Sequence, residues 1–338
     1  MRCFFILLLA TSSLAANFPA PVEGDFIARD VHFRSGESLP EVRIHYATIG
    51  TKRPGNAVLL LHGTGGSLHQ FLNDHFAGVL FAPGGLLDAA RFFIIIPDNI
   101  GHGQSTKPSD GLHEKFPRYD YDDMIGLQHR LVTEGLGIEH LFLVMGTSMG
   151  GMHTWMWGER WPQMMDGLLP LASAPAAIAG RNRVWRTMMM DDLRANDLTA
   201  AVQVLMLVTS APLQWQSTLP SRHEADRWLA VQMKARLASI KPDDLLYALD
   251  ASRDYDPAPH LDQIAAPLLA INTGDDFVNP PELGIVERLM PRVKRGRFVL
   301  IPAAQAGYGH GTHTRPLVWQ GELAKFLPMV ESYRENYH

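Results

Sequence analysis

Cysteine is almost absent from this chain, because the only one among its 338 residues is Cys3. It lies in an N-terminal stretch with a basic residue, a short apolar run and then small residues. This is the pattern of a secretory signal peptide, here cleaved after Ala15 or Ala16. The mature chain would then contain no thiol and no disulfide, so it tolerates an oxidising compartment without needing one. We therefore expect residues 1–16 to be removed and the protein to be exported, either periplasmic or secreted.

Blocks of like charge, internal repeats and low-complexity tracts are also absent. The formal net charge is only -5 and the pI is about 6.3, so nothing suggests nucleic acid or an anionic membrane surface as a partner. The apolar run of the leader is too short to span a bilayer permanently, and we expect no stable membrane insertion after its cleavage. The remaining length suits one large α/β domain with an insertion, or two domains.

Short apolar runs alternate with helix-like stretches along the mature chain. Two early segments, 26–33 and 42–48, alternate apolar and polar residues as half-buried strands do. Helix-like stretches such as 122–135 and 150–161 separate several later segments. Strands buried on both faces of a parallel sheet are expected to be continuously apolar, and six runs fit: 57–61, 92–96, 141–145, 168–171, 268–272 and 298–301. We predict a mostly parallel eight-stranded sheet flanked by helices.

Residues 175–262 break this alternation. They contain no clear buried strand and are rich in Met, Trp and Leu at helical spacing. We interpret them as a helical lid inserted into a core formed by residues 17–174 and 263–338. The methionines of the insertion fit simple packing between helices or, alternatively, the lining of an adaptable substrate pocket.

Ser148 is the candidate nucleophile. It is the centre of Gly-Thr-Ser-Met-Gly at 146–150, between a predicted strand and a helical stretch, which is the context of a nucleophile elbow. The flanking glycines are needed because so tight a turn leaves no room for a Cβ atom. Ser148 is expected to be strained and exposed at a helix start whose N–H groups favour negative charge. The alternative is a glycine-rich turn with an idle serine.

A serine nucleophile generates an oxyanion, which two backbone N–H groups usually hold. One comes from the residue after the nucleophile, here Met149. The other comes from a loop after an earlier strand, and Thr64 in the stretch 62–66 is the best candidate. We expect His62 to brace this loop through backbone hydrogen bonds, and His102 to buttress the next loop, rather than to act in catalysis.

The serine also needs a histidine base and a carboxylate that orients the histidine. In proteins with a nucleophile elbow on a mostly parallel sheet, these two residues follow the nucleophile in the order acid then histidine, each just after a late strand. The last two predicted strands are followed by Asp275 and Asp276, and by His310 and His313. We choose Asp276 and His310, with Asp275 and His313 as alternatives. A metal site at the two histidines lacks a carboxylate or cysteine at ligand spacing, so no metal or organic cofactor is expected.

Together these residues resemble the α/β-hydrolase superfamily and, within it, the homoserine O-acetyltransferase-like group. The resemblance implies Asp276 as the acid, four residues before a proline, and His310 as the base, after a Tyr-Gly pair. It also implies a helical lid after the sixth strand. It extends along nearly the whole mature chain and depends on VRIHYATIG (42–50), GNAVLLLHGTGG (55–66), FPRYDYDDMIGLQ (116–128), GTSMGGM (146–152) and DFVNPP (276–281).

Several features differ from the acetyltransferases of that group and favour a hydrolase. Thr147 rather than glycine precedes the nucleophile, and Gly311 rather than aspartate follows His310. The His-Gly pair of the oxyanion loop and the stretch 98–105 look like those of ordinary esterases. An exported protein would also lack access to acetyl-CoA, which is a cytoplasmic metabolite.

We therefore predict an exported serine esterase that acts on a small-molecule acyl substrate through an acyl-enzyme, with a homodimer as one option for its assembly. The first alternative is an acyltransferase of the homoserine O-acetyltransferase type. The second is a non-catalytic binding protein on the same fold, which would be expected to lack one of the three catalytic residues.

Overall fold

The computed structural model describes residues 17–337, and the predicted signal peptide lies outside this range. Eight strands form a single sheet: β1 (Val22–His32), β2 (Ser38–Ile49), β3 (Ala57–Leu61), β4 (Phe93–Pro97), β5 (Leu143–Thr147), β6 (Leu168–Leu171), β7 (Leu268–Thr273) and β8 (Gly296–Ile301). Their order across the sheet is β1-β2-β4-β3-β5-β6-β7-β8. The strands from β3 to β8 are parallel, while β1 and β2 are antiparallel to their neighbours. The predicted fold class is confirmed.

The described chain also forms these α-helices: α1 (Ala77–Leu80), α2 (Tyr121–Arg130), α3 (Met149–Arg160), α4 (Gly180–Arg194), α5 (Leu198–Val208), α6 (Pro212–Thr218), α7 (Arg222–Ser239), α8 (Pro242–Asp250), α9 (Ile285–Leu289), α10 (Ala303–Ala306) and α11 (Pro316–Tyr337). In residues 17–337 no single helix is long and apolar enough to cross a bilayer. The bent pair α5 and α6, with an angle of 98° between them, reaches that length and composition only together.

Two apolar layers cover the two faces of the sheet, which explains its continuous apolar runs. Successive residues of β3 point to opposite faces, so Leu59 and Leu61 join one buried cluster while Val58 and Leu60 join the other. All five residues of β5 are buried as well. The strand that precedes the candidate nucleophile is therefore buried along its whole length.

Two predicted boundaries were wrong at the antiparallel edge. The strands predicted at 26–33 and 42–48 are longer, because they pair as a hairpin from Val22 opposite Thr48 onwards. The added residues are mostly exposed, and Val22 is 69% exposed, so they show no apolar alternation that could have marked them as strand. Backbone pairing alone extends these strands.

The fifth strand also differs from its prediction at 141–145. Leu141 forms only an isolated bridge with Met165, and the ladder runs on to Thr147, which pairs with Leu171. The strand therefore ends directly at the candidate nucleophile.

Five helices, α4 to α8, lie between β6 and β7, and this stretch contains no strand in the described chain. Residues of α4, α5 and α8 form a third buried apolar cluster, which includes Met189 and Met190. These two methionines thus pack between helices, whereas Met188 is 51% exposed. The role of this insertion as a lid remains a prediction.

Candidate active site

Ser148 occupies a sharp turn between the end of β5 and the start of α3. Its backbone has φ 54° and ψ -115°, a conformation that non-glycine residues rarely adopt. Backbone hydrogen bonds hold it on both sides, since its N–H donates to Leu171 O (2.9 Å) and its carbonyl accepts from Met152 N–H (2.9 Å). The surrounding structure thus maintains the strain and fixes where the hydroxyl points.

The glycines around Ser148 are required by close approaches of the backbone. A Cβ atom on Gly146 would lie 2.0 Å from the carbonyl oxygen of Gly150. A Cβ atom on Gly150 would lie 1.9 Å from the carbonyl oxygen of Leu61. Both clashes are with backbone oxygens, which no side-chain rotation can move away.

The side chains of Ser148, His310 and Asp276 form a continuous hydrogen-bonded series. The Ser148 hydroxyl lies 2.8 Å from His310 Nε2. His310 Nδ1 lies 2.9 Å from one Asp276 oxygen and 3.0 Å from the other. Asp276 also accepts hydrogen bonds from the backbone N–H groups of Val278 (2.8 Å) and Asn279 (3.1 Å).

Asp276 is buried, but its surroundings favour the ionised form. Burial raises the pKa of its carboxyl group, while the charge of His310 and the hydrogen bonds of His310 and Asn279 lower it. The second group of effects is stronger in sum, so the pKa lies below its usual value. An ionised Asp276 accepts a hydrogen bond from the Nδ1–H group of His310, which leaves Nε2 free to accept the proton of Ser148.

The two alternative residues lie beside this series without joining it. Asp275 accepts a hydrogen bond from the backbone N–H of Gly309 (2.8 Å) instead of contacting a histidine ring. The ring of His313 stands edge-on to that of His310, with 5.1 Å between the ring centres. Burial and the charge of His310 lower the pKa of His313 to about 3, so this ring is neutral at ordinary pH.

The loop predicted to supply an oxyanion donor lies directly against the nucleophile. A Cβ atom on Gly63 would be 3.4 Å from the Ser148 Cβ atom. The next residue is Thr64, and among the described residues no hydrogen bond engages its N–H or that of Met149. Both N–H groups, of residues that follow Gly63 and Ser148 directly in the chain, are thus free to donate to a substrate oxygen. No partner satisfies the buried hydroxyl of Thr64 either.

Gln70 ties this loop to the nucleophile strand, a contact that the sequence analysis missed. Its amide oxygen accepts from Gly63 N–H (3.1 Å), and its Nε2 donates to the Thr147 hydroxyl (2.7 Å). From sequence alone, Thr147 stands out only because it replaces the glycine that the acetyltransferases carry before the nucleophile. Nothing in the sequence links two residues that are 77 positions apart.

His62 and His102 occupy the structural positions expected of them. His62 Nδ1 donates to Gly63 O (2.9 Å), and its Nε2 accepts from Asn99 N–H (3.1 Å). Burial lowers the pKa of His62 to about 4, so the neutral ring with this tautomer is maintained. His102 Nδ1 lies 3.1 Å from Ile100 O, and burial lowers its pKa to about 3.

A buried arginine behind the oxyanion loop was also missed. Arg186 on α4 donates to Asn182 Oδ1 (2.9 Å) and Ser252 Oγ (3.3 Å). The Tyr121 hydroxyl faces the side chains of Thr64, Arg186 and Ser252, although no contact satisfies full hydrogen-bond geometry. The contacts connect the insertion to the loop beside Ser148. The position of Arg186 in the sequence does not indicate which polar groups its side chain contacts.

Residues 56–300 match the protein family described as alpha/beta hydrolase fold, which is well over half of the chain. The chain belongs to the α/β-hydrolase fold family. It is 26% identical to a probable acyltransferase of Methanothermobacter thermautotrophicus, over 80% of this chain and 88% of that protein. It is 32% identical to the homoserine O-acetyltransferase of Chlorobaculum parvum, over 52% of this chain and 47% of that enzyme. That alignment spans about half of the acetyltransferase. The resemblance to the homoserine O-acetyltransferase-like group is confirmed.

Solved structures agree on the fold. The structure of homoserine O-acetyltransferase from Bacillus anthracis aligns with a TM-score of 0.80 at 18% identity, over 92% of this chain and 98% of that one. The structure of esterase E22 aligns with a TM-score of 0.77 at 18% identity, over 92% of this chain and 100% of that one. At such identities the similarity supports the shared fold alone.

Proposed function

We propose that the chain is an enzyme that acts on ester or related acyl bonds through an acyl-enzyme on Ser148. His310 is its general base, Asp276 orients the histidine, and the N–H groups of Thr64 and Met149 hold the oxyanion. The observation that supports this most directly is the hydrogen-bonded series from Asp276 through His310 to Ser148, with distances of 2.9 Å and 2.8 Å. The names of the relatives, acyltransferase and homoserine O-acetyltransferase, fit the same chemistry.

In the first half of the reaction, the Ser148 oxygen attacks the acyl carbon while its proton passes to His310 Nε2. The carbonyl oxygen becomes negatively charged, and the two N–H groups stabilise it. Asp276 stays ionised and stabilises the imidazolium. His310 then returns the proton to the leaving oxygen, the bond between that oxygen and the acyl carbon breaks, and the acyl group remains on Ser148.

In the second half, an acceptor hydroxyl attacks the acyl-enzyme. His310 removes its proton and then protonates the Ser148 oxygen as the bond between that oxygen and the acyl carbon breaks and the acylated acceptor leaves. We propose water as the acceptor, and thus an esterase. Gly311 after His310 and the esterase-like oxyanion loop support this choice, because they are where the sequence departs from the acetyltransferase pattern.

Acyl transfer to an alcohol is the second candidate, since the relatives above carry acyltransferase names. The two acceptors are distinguished by measuring hydrolysis of p-nitrophenyl acetate and release of CoA from acetyl-CoA with homoserine, both with one enzyme preparation. We expect hydrolysis without homoserine-dependent CoA release. CoA release without ester hydrolysis would show that the acceptor is an alcohol and not water. The mechanism through Ser148 would still stand.

Labelling with a fluorophosphonate probe tests the serine mechanism itself. We expect the wild-type protein to be labelled and the Ser148→Ala variant to be inert, with turnover reduced by about 10⁴- to 10⁶-fold. Ser217→Ala, an exposed serine on α6, is the matched control and should label like the wild type. An active Ser148→Ala variant, or an unlabelled wild type, would contradict the proposal. An unlabelled wild type would favour a non-catalytic binding protein.

We also propose that the protein is exported and that residues 1–16 are its signal peptide, on the sequence pattern alone. Expression of the full chain in a Gram-negative host, followed by cell fractionation and N-terminal sequencing, tests this. The expected product starts at Ala16 or Asn17 outside the cytoplasm. An uncleaved cytoplasmic product would contradict it.

A further inference from the structure

A cleft of about 580 Å³ opens beside the oxyanion loop. Residues 64–67 form part of its wall, and residues of α5, α7 and α8 from the insertion face them. Thr64 is the residue whose N–H we assign to the oxyanion, so one end of the cleft adjoins the oxyanion loop.

The geometry indicates which half of an ester this cleft would take. His310 protonates the leaving group, so the leaving group must lie on the side of the segment 309–314 that carries this histidine. Among the described residues, none of that segment lines the cleft. The cleft therefore suits the acyl chain rather than the leaving group.

Positive charge dominates the cleft wall. Lys107 forms an ion pair with Asp110, with 3.1 Å between Lys107 Nζ and Asp110 Oδ1. The carboxylate of the cleft, Asp244, accepts two hydrogen bonds from Ser109, from its N–H (2.9 Å) and its hydroxyl (2.7 Å). Burial raises the pKa of Asp244, while the hydrogen bonds of Ser109 and the charge of Lys107 lower it by smaller amounts. Two further cations of the cleft wall, both in the insertion, have no such partner among the described residues.

These two cations are Arg236, near the end of α7, and Lys241, just before α8. In residues 17–337 the side chain of neither one forms a hydrogen bond or ion pair. Arg236 Nε is fully buried without a partner, and burial lowers the pKa of this guanidinium. Arg236 as a residue is partly exposed, but a buried N–H group without a hydrogen-bond partner is unfavourable, so such a group is usually paired. An anion bound in the cleft would supply the missing partner.

We propose that the cleft binds a carboxylate at the far end of the acyl chain, with Arg236 as its main partner and Lys241 as a second cation. The substrate class is thus esters of dicarboxylic acids in which one carboxyl group is free. A guanidinium matches a carboxylate through two parallel hydrogen bonds, which gives both affinity and direction. This inference rests on the proposed function of Ser148 and adds the acyl specificity.

The test compares two esters with the same leaving group and an acyl chain of four carbons. One is p-nitrophenyl butyrate, which is neutral, and the other is mono-p-nitrophenyl succinate, which carries a carboxylate. We expect wild-type kcat/KM to be higher for the succinate, and Arg236→Gln to reduce this preference by about 10- to 100-fold, mainly through KM. Arg236→Lys should retain part of it, and Lys241→Gln should reduce it less.

Arg227→Gln is the matched control, because Arg227 is an exposed arginine on the same helix that does not line the cleft. This variant should keep the wild-type preference. A second measurement does not need turnover: succinate should slow fluorophosphonate labelling of Ser148 more than butyrate does, and Arg236→Gln should remove the difference. Thermal unfolding of each variant checks that it folds.

Two results would overturn the inference: a wild type that shows no preference for the succinate and no protection by it, or a preference that Arg236→Gln leaves unchanged. In both, labelling of Ser148 still occurs, so the proposed function would survive. If the proposed function itself were wrong, the fluorophosphonate probe would not label the wild type. The two kinds of failure therefore give different results.

Discussion

The Asp275 carboxylate accepts a hydrogen bond from the backbone N–H of Gly309 (2.8 Å), one residue before His310. The adjacent Asp276 accepts from the ring of His310 itself (2.9 Å). Two successive aspartates after β7 thus hold two successive residues of the segment after β8. One carboxylate fixes the backbone that carries the histidine, and the other fixes the ring.

This arrangement predicts different effects for two neighbouring substitutions. Asp276→Asn should lower kcat by about 10⁴-fold, because a neutral amide neither stabilises the imidazolium nor enforces the Nδ1–H tautomer; the corresponding change in chymotrypsin-like proteases has an effect of this size. Asp275→Ala should lower kcat only about 10-fold, through a less well-placed histidine. Steady-state kinetics with p-nitrophenyl acetate measures both. A larger loss of kcat for Asp275→Ala than for Asp276→Asn would mean that Asp275, and not Asp276, orients the ring of His310.

The Gln70 bridge between the oxyanion loop and β5 gives a second prediction. Thr147→Val keeps the side-chain shape but removes the hydroxyl that accepts from Gln70 Nε2. The loop then loses one anchor, and kcat should fall by about 10-fold or more with little change in KM, since only the transition state needs the aligned N–H donor. Thr147→Ser retains the hydroxyl and is the control. Equal kcat values for the Val and Ser variants would mean that the bridge does not position the loop.

Much of the fold and the nucleophile could be predicted from sequence because local rules govern them. A strand buried on both faces must be apolar at every position, and all five residues of β3 are apolar and buried. A turn with no space for Cβ atoms must be flanked by glycine, as Gly146 and Gly150 are. The remaining contacts depend on which distant groups meet in three dimensions.

The choice between Asp275 and Asp276 illustrates that limit. Both follow the same strand, and only the course of the turn decides which carboxylate faces His310. The same holds for Gln70 and Arg186, whose partners lie on other elements. No spacing rule connects such residues, because their contacts result from packing of the whole domain.

The space around the nucleophile elbow gives a third prediction, on stability. Gly150→Ala places a methyl group against the Leu61 carbonyl oxygen, and the backbone must shift to accommodate it. We expect the free energy of unfolding to fall by about 1–3 kcal/mol or more. Gly321→Ala is the contrasting variant, since Gly321 lies in α11 with no atom within 4 Å of the added Cβ. It should gain about 0.5–1 kcal/mol of helix propensity. Urea denaturation measures both changes, and similar values for the two would contradict the steric argument.

Glu159, on α3, gives a prediction for the pH dependence of stability. Burial raises the pKa of its carboxyl group to about 8, the charge of Arg160 lowers it and that of Asp122 raises it by smaller amounts, and its Oε1 is buried without a partner among the described residues. Between pH 4.5, the ordinary value, and about 8, the folded protein holds this proton while the unfolded chain has released it. The unfolded state therefore binds fewer protons, and this group lowers stability progressively as pH rises through that range.

Glu159→Gln removes this ionisation while keeping a similar shape. Its melting temperature should be close to that of the wild type near pH 5 and should exceed it by a growing margin towards pH 8. The exposed Glu335→Gln, on α11, is the control and should show no such trend. Differential scanning fluorimetry over this pH range measures the margin. A margin that stays constant with pH would show that Glu159 is already ionised in the folded protein at pH 5.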